Sequence, residues 1–132
     1  MTWSAFSSAV DLIATATLNS LADGAWATGA AVDNSSGLNE LMDVAVRLAS
    51  AITPVGADAR IDVYLVPDAD PDDGSGIFVT SRADVSQDTP AQYKAGEIPG
   101  MVVASGFRYG VLSGVVIPPG RFKIQIENNI GQ

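Results

Sequence analysis

The chain has no cysteine and no histidine. The first absence removes disulfides, thiolate metal sites and cysteine nucleophiles. The second removes the commonest zinc ligand and the usual general base near neutral pH. No histidine-assisted triad can be built, and no G-x-S-x-G elbow is present to aim a serine. Basic charge is scarce as well: 7 Lys and Arg stand against 15 Asp and Glu, a net charge of −8 at pH 7. A protein that tracks a nucleic-acid backbone needs a basic face to release counterions, so DNA and RNA are not expected partners. No apolar run approaches the roughly 18 residues of a membrane-spanning helix, and Met1 to Ser20 lacks a basic n-region. Neither a membrane span nor a signal peptide is expected, and synthesis in a cytoplasm without export follows.

What the chain does have is apolar content, 47% in 132 residues, with only 17% charged. That is enough to bury a core, and the length fits one domain, 1–132. Its clearest segment is Val115 to Gly131, V-V-I-P-P-G-R-F-K-I-Q-I-E-N-N-I-G. Pro118 and Pro119 fix φ and cannot extend a ladder, while Gly120 supplies the positive φ that a type II turn requires after proline. Beyond the turn, Phe122, Ile124 and Ile126 alternate with Lys123, Gln125 and Glu127, the period of a strand buried on one face.

The same period recurs upstream. Met42, Val44, Val46 and Leu48 alternate with Asp43, Ala45, Arg47 and Ala49; Ile61, Val63 and Leu65 alternate with Asp62, Tyr64 and Val66. Trp26 to Val32, Ile77 to Thr80, Met101 to Ala104 and Tyr109 to Leu112 read as further strands. Asp11 to Leu21 is ambiguous, its alternation suiting a strand and its alanines a helix, and is read as β. Asp23-Gly24, Asp33 to Gly37, Thr53 to Asp58, Pro67 to Gly76 and Ser105-Gly106 are turns or loops. The long polar stretch Ser81 to Gly100 is read without a strand. Met1 to Val10, small and polar apart from Trp3 and Phe6, forms a candidate N-terminal arm. About eight short strands between Gly, Pro and Asx turns predict an all-β fold, an antiparallel two-sheet β-sandwich, with the jelly roll as one form of it.

Few residues offer chemistry. Asp68, Asp70, Asp72 and Asp73 crowd one loop, and alternate acids can turn hard oxygens toward Ca²⁺. The EF-hand pattern fails there, since Asp73 occupies the glycine position and Val79 the place of the bidentate Glu. A solvated acidic tip is the simpler reading, so Asp68, Asp70 and Asp72 are weak metal candidates and no cofactor is expected. Asp62, Glu97 and Glu127 are available as an acid and base pair for glycoside cleavage, which needs two carboxylates roughly 5 to 10 Å apart across a cleft; as surface acids they need no such role. Among the aromatics Trp3, Trp26, Tyr64, Tyr93, Phe107 and Tyr109, a sugar-stacking platform competes with core or interface packing. Trp26 is assigned to the core. Tyr64, on the polar register of its strand, is the candidate for outside contact, together with Trp3 and Phe6 as anchors.

The run L-M-D-V-A-V-R-L-A-S from Leu41, then R-I-D-V-Y-L-V-P-D-A-D from Arg60, an acidic glycine-containing loop, and I-P-P-G-R-F-K-I-Q-I-E-N-N-I-G from Ile117 resembles small virion structural proteins of tailed bacteriophages, and among them capsid cement, or decoration, proteins. The likeness covers roughly Leu41 to Gln132. It implies a non-enzymatic protein on the outer surface of the virion head, assembled in the host cytoplasm, whose partner is the major capsid protein and which bridges capsomers. Such a role favours a homotrimer, because local three-fold positions offer three equivalent footprints. A tail or head-completion protein and a carbohydrate- or receptor-binding sandwich are the competing readings.

Overall fold

The computed structural model of the chain describes residues 12–13, 15–36, 39–49, 58–68, 93–99, 102–104 and 107–131. The expected arm at 1–10 and the expected strand at 77–80 lie outside them. The described residues form one short helix, α1 (Thr15–Asn19), and seven strands: β1 (Trp26–Asp33), β2 (Leu41–Ala49), β3 (Arg60–Pro67), β4 (Lys94–Pro99), β5 (Val102–Ala104), β6 (Phe107–Val116) and β7 (Arg121–Asn129).

The strands make two antiparallel sheets, one of order β1-β7-β3-β4 and one of order β2-β6-β5. The fold is thus the expected all-β sandwich. Its pairing is nested: the first strand pairs the last, β2 pairs β6, and β3 pairs β4. A long antiparallel ribbon rolled over itself produces that nesting, which is the wrapping of a jelly roll. Here β5 adds itself beside β6 over Phe107 to Tyr109.

Period-two patterning puts one row of each strand between the sheets. Ala27, Ile61, Val63, Ile98, Phe122, Ile124 and Ile126 enter from the four-stranded sheet, and Val44, Val46, Leu48 and Val115 from the other. Phe122 and Val63 are 0% exposed, and a fully buried side chain of that kind stabilises the fold by about 1.5–3 kcal/mol. At the β4–β6 contact the sheets approach so closely that a Cβ on Gly96 would stand 2.9 Å from the Leu112 methyls.

Two expectations change. The segment read as β over Asp11 to Leu21 contains α1. Leu18 in α1 and Leu21 just beyond its end turn toward the core with Leu12 and Ile13, the turn held by the Leu21 N–H donating to the Leu18 carbonyl at 3.3 Å. The polar stretch 81–100 contains β4, whose K-A-G-E-I-P buries Ile98. The strands on either side of the proline turn, β6 and β7, belong to different sheets, so Pro118 to Gly120 carries the chain across the sandwich. Gly120 has the expected positive φ, +110°.

Two buried asparagines clasp these crossings. Asn34, 4% exposed, donates through Nδ2 to the Asn39 carbonyl at 2.9 Å and the Pro118 carbonyl at 3.0 Å. Its Oδ1 accepts the Asn39 N–H at 2.9 Å, and its own N–H reaches the Gly120 carbonyl at 2.9 Å. The β1–β2 and β6–β7 crossings are thereby tied together. Asn128 does the same for the chain after α1, donating to the Leu21 carbonyl at 2.6 Å. Upstream of α1, the Leu12 carbonyl accepts the Ala30 N–H at 3.1 Å where β1 is bulged. A Cβ on Gly29 would stand 3.1 Å from that of Leu12, so any larger residue there would have to push Leu12 back by a few tenths of an ångström.

Candidate functional site

The two outer faces of the sandwich differ in chemistry. On the four-stranded sheet, strand pairing sets Trp26, Glu127, Asp62 and Glu97 in one row across β1, β7, β3 and β4. Thr28, Gln125 and Tyr64 form the adjoining row, and Lys94 pairs with Tyr64 beyond a register shift. Side chains directly opposite on neighbouring strands point the same way and touch. Register therefore gathers the carboxylates Asp62, Glu97 and Glu127 onto one surface.

Asp62 is the centre of that surface and is 3% exposed. Its Oδ1 receives Arg60 Nε at 3.1 Å and Lys94 Nζ at 2.9 Å, and its Oδ2 receives Asn129 Nδ2 at 3.1 Å. The same two cations reach Glu97 Oε2, at 3.7 Å from Arg60 and 3.4 Å from Lys94. A buried carboxylate needs this pairing, because its desolvation is costly unless opposite charge and hydrogen bonds offset it. The attraction of Asp62 holds the Arg60 guanidinium above its ordinary pKa, and the hydrogen bond to Asp62 does so for Lys94. With three donors already on Asp62, the arrangement is an ion-pair network linking neighbouring strands of the sheet.

Beside it, Tyr64 stacks at a tilt on Trp26, the ring centroids 4.9 Å apart at 47°. The Tyr64 hydroxyl donates to Glu127 Oε2 at 3.4 Å, and Gln125 Nε2 donates to Thr28 Oγ1 at 3.0 Å. Burial raises the Tyr64 pKa first of all, and the negative charge of Glu127 adds to it. Both aromatic expectations are corrected here. Tyr64 does lie on the outer face, but its neighbours cover it to 7% exposure, so it does not project toward an outside partner. Trp26, expected in the core, lies on this outer face half-buried against Tyr64.

The outer face of the three-stranded sheet mixes large apolar side chains with the exposed charges of Asp43 and Arg47. Ala45 pairs Val111, Arg47 pairs Tyr109 and Leu41 pairs Val116. Four large side chains there stand in solvent: Val116 at 73%, Leu41 at 59%, Val111 at 50% and Tyr109 at 46%. A bulge explains why simple alternation hides the Leu41–Val116 pair. The β2–β6 register shifts between Met42 and Val44, where Asp43 Oδ1 accepts the Gly114 N–H at 2.9 Å, so Val115 turns inward and Val116 outward.

Of the metal candidates, Asp70 and Asp72 lie outside the described residues. Asp68 is described, and its carboxylate turns toward β7, with Oδ2 3.7 Å from Arg121 Nη1. Among the described residues no three acids come together in a way that would hold a metal ion, and no helix is long and apolar enough to cross a membrane. Trp3 and Phe6 also lie outside the described residues. Phe107 opens β6, its backbone paired with Ala49 on one side and Ala104 on the other. Tyr93 lines an apolar groove between the sheets with Leu65, Leu112 and Val115. Lys94, Asn129 and Asn34 carry much of the polar structure without any sequence motif, since their partners sit on strands distant in the chain.

The chain matches no protein-family model, no curated protein and no solved structure.

Proposed function

We propose that this protein is a non-enzymatic structural component of a tailed-bacteriophage virion, a cement or decoration protein bound to the major capsid protein on the outside of the head. The sequence resemblance over 41–132 is its origin, and one observation of the fold carries it further: the sandwich is a two-sided slab. One broad side is a network of charges that satisfy each other, and the other leaves Leu41, Tyr109, Val111 and Val116 in solvent. A slab with large apolar side chains exposed on one side suits lying on a protein shell, with the charged side keeping the particle soluble. In this role the protein binds no nucleic acid, membrane or cofactor. It acts as a homotrimer, since several weak footprints engaged together hold far better than one.

The test is the mechanical role itself. Heads carrying the protein should withstand heat and chelation that rupture heads lacking it, with release of DNA as the readout. Equal resistance of the two would refute a cement role. A carbohydrate- or receptor-binding module is the second reading, favoured by the half-buried Trp26 beside Glu127 and Thr28; a glycan screen that finds a ligand displaced by Trp26→Ala would establish it.

A further inference from the structure

We infer that the open edge of β2 pairs antiparallel with β2 of a second copy, about a two-fold axis at Ala45, and so joins two three-stranded sheets into one. Among the described residues β2 is paired with β6 alone, and at nine residues it is the long free edge of its sheet. The other edges are less open. β5 has three residues, Pro99 at the β4 edge has no N–H, and at the β1 edge the Leu12 carbonyl already takes the Ala30 N–H. The helix α1 packs against β2 with Leu18 turned to the core, and among the described residues no backbone hydrogen bond joins the two. The bulge opposite Asp43 has its extra residue on β6, between Leu112 and Val115, so β2 itself alternates without a break. Leu41, Asp43, Ala45 and Arg47 are exposed, and Val44, Val46 and Leu48 are buried. A regular edge of this kind is a template for another strand, whose main-chain bonds supply the affinity.

The side chains name the occupant. Met42 to Leu48, M-D-V-A-V-R-L, mirrors itself about Ala45, with apolar residues answering apolar ones and Asp43 answering Arg47. In an antiparallel pair centred there, Asp43 of each copy faces Arg47 of the other, Val44 faces Val46, Met42 faces Leu48, and the small Ala45 meets itself on the axis. Opposite charges directly across a strand pair stabilise it and like charges destabilise it. Centring the pair on Val44 or Val46 sets each charge against an uncharged residue, and centring it on Asp43 or Arg47 opposes like charges. The pattern therefore selects one register, and it is self-complementary, as a two-fold contact must be. With one acid and one base, β2 brings no net charge to the contact, and the repulsion between two chains of net −8 is screened beyond roughly 8 Å at physiological salt. This inference stands apart from the cement reading. A two-fold contact builds no trimer; between trimers on a shell it ties one to the next.

The chain has no cysteine, so Ala45→Cys places a single thiol on the axis. Directly opposed residues of an antiparallel pair have Cα atoms about 4.5–5.5 Å apart, within the span of a disulfide. Mild oxidation of the purified protein, read on a non-reducing gel and by intact mass, should give covalent dimers. Ala31→Cys, exposed on the four-stranded sheet, should give few under the same conditions. In the Ala45→Cys background, Arg47→Glu should slow dimer formation on the order of tenfold, and Asp43→Lys likewise. Mixing the two charge variants should restore it, because every charge then meets its opposite, and mass should identify the product as one copy of each. Circular dichroism of each variant reports folding. Arg47→Glu leaves Asp43 bonded to the Gly114 N–H, so it decides alone if Asp43→Lys unfolds. Dimers from Ala45→Cys no faster than from Ala31→Cys, or charge reversals without effect, overturn the pairing. In that case a protein found on heads still supports the cement reading, whereas register-specific dimers of a protein absent from heads support the pairing and refute cement.

Discussion

Asn34→Ala should be among the most damaging polar substitutions in the chain. The side chain makes three hydrogen bonds, to the Asn39 carbonyl, the Pro118 carbonyl and the Asn39 N–H, all between 2.9 and 3.0 Å. Each contributes about 1 kcal/mol net, and truncation also leaves the backbone groups at Asn39 and Pro118 short of partners in a partly buried place, so the loss should total about 2–4 kcal/mol. For a domain of this length that lowers the melting temperature by on the order of 10 °C. Thermal unfolding followed by circular dichroism, with urea unfolding to give the midpoint at constant slope, reads both quantities. Asn39→Ala is the control, because Asn39 contributes its backbone to the clasp and its side chain is exposed. Asn34→Asp sharpens the test: it keeps the acceptor for Asn39 N–H but sets a negative charge about 3 Å from two carbonyl oxygens, so it should be more stable in acid, where a protonated carboxyl can donate, than at neutral pH. If Asn34→Ala stays within about 0.5 kcal/mol of the original, the clasp does not hold the two crossings together and the reasoning fails.

Two further predictions come from the same fold. Because burial favours the neutral phenol, Tyr64 has a folded-state pKa above its ordinary 10.0, and its contribution is fully present below 10.0 and lost as pH rises through the raised value; Lys94, raised from 10.5 by Asp62, acts in the same direction. A phenolate absorbance titration should show one tyrosine ionising above the ordinary range together with alkaline loss of structure, and Tyr64→Phe should remove that phase; its persistence in the variant would contradict the assignment. Gly120, at φ +110° with nothing near its Cβ position, should cost about 1–3 kcal/mol when replaced by Ala and somewhat more by Val, from backbone strain alone. Melting unchanged in both variants would mean that the turn relaxes to negative φ.

Strands with clean alternation are legible in the order of residues alone: β2 and β7 bury the row that their period marks, including Val44 and Ile124, whereas central β3 buries Asp62, Tyr64 and Val66 of its supposed wet row as well as Ile61 and Val63. The β4 strand is not, because Lys94 to Pro99 carries a single deeply buried side chain, Ile98, and two charges that mark an edge. Alternation tells which side of a strand is wet but not which sheet the strand joins, so the proline turn reads correctly as a turn while its crossing between sheets stays hidden. The acids Asp62, Glu97 and Glu127 can be named from sequence. Their common row depends on β3 lying between β4 and β7, a long-range pairing that sequence does not encode locally, and so does the cover that β1 places over Tyr64 through Trp26. The exposed Leu41–Val116 pair depends on a bulge, and one inserted residue reverses every assignment beyond it.

The most direct test of the central claim is quantitative mass spectrometry of purified heads and purified tails. The cement account predicts this protein on heads, in fixed proportion to the major capsid protein, and none on tails. Finding it on tails alone, or on neither, would contradict the account.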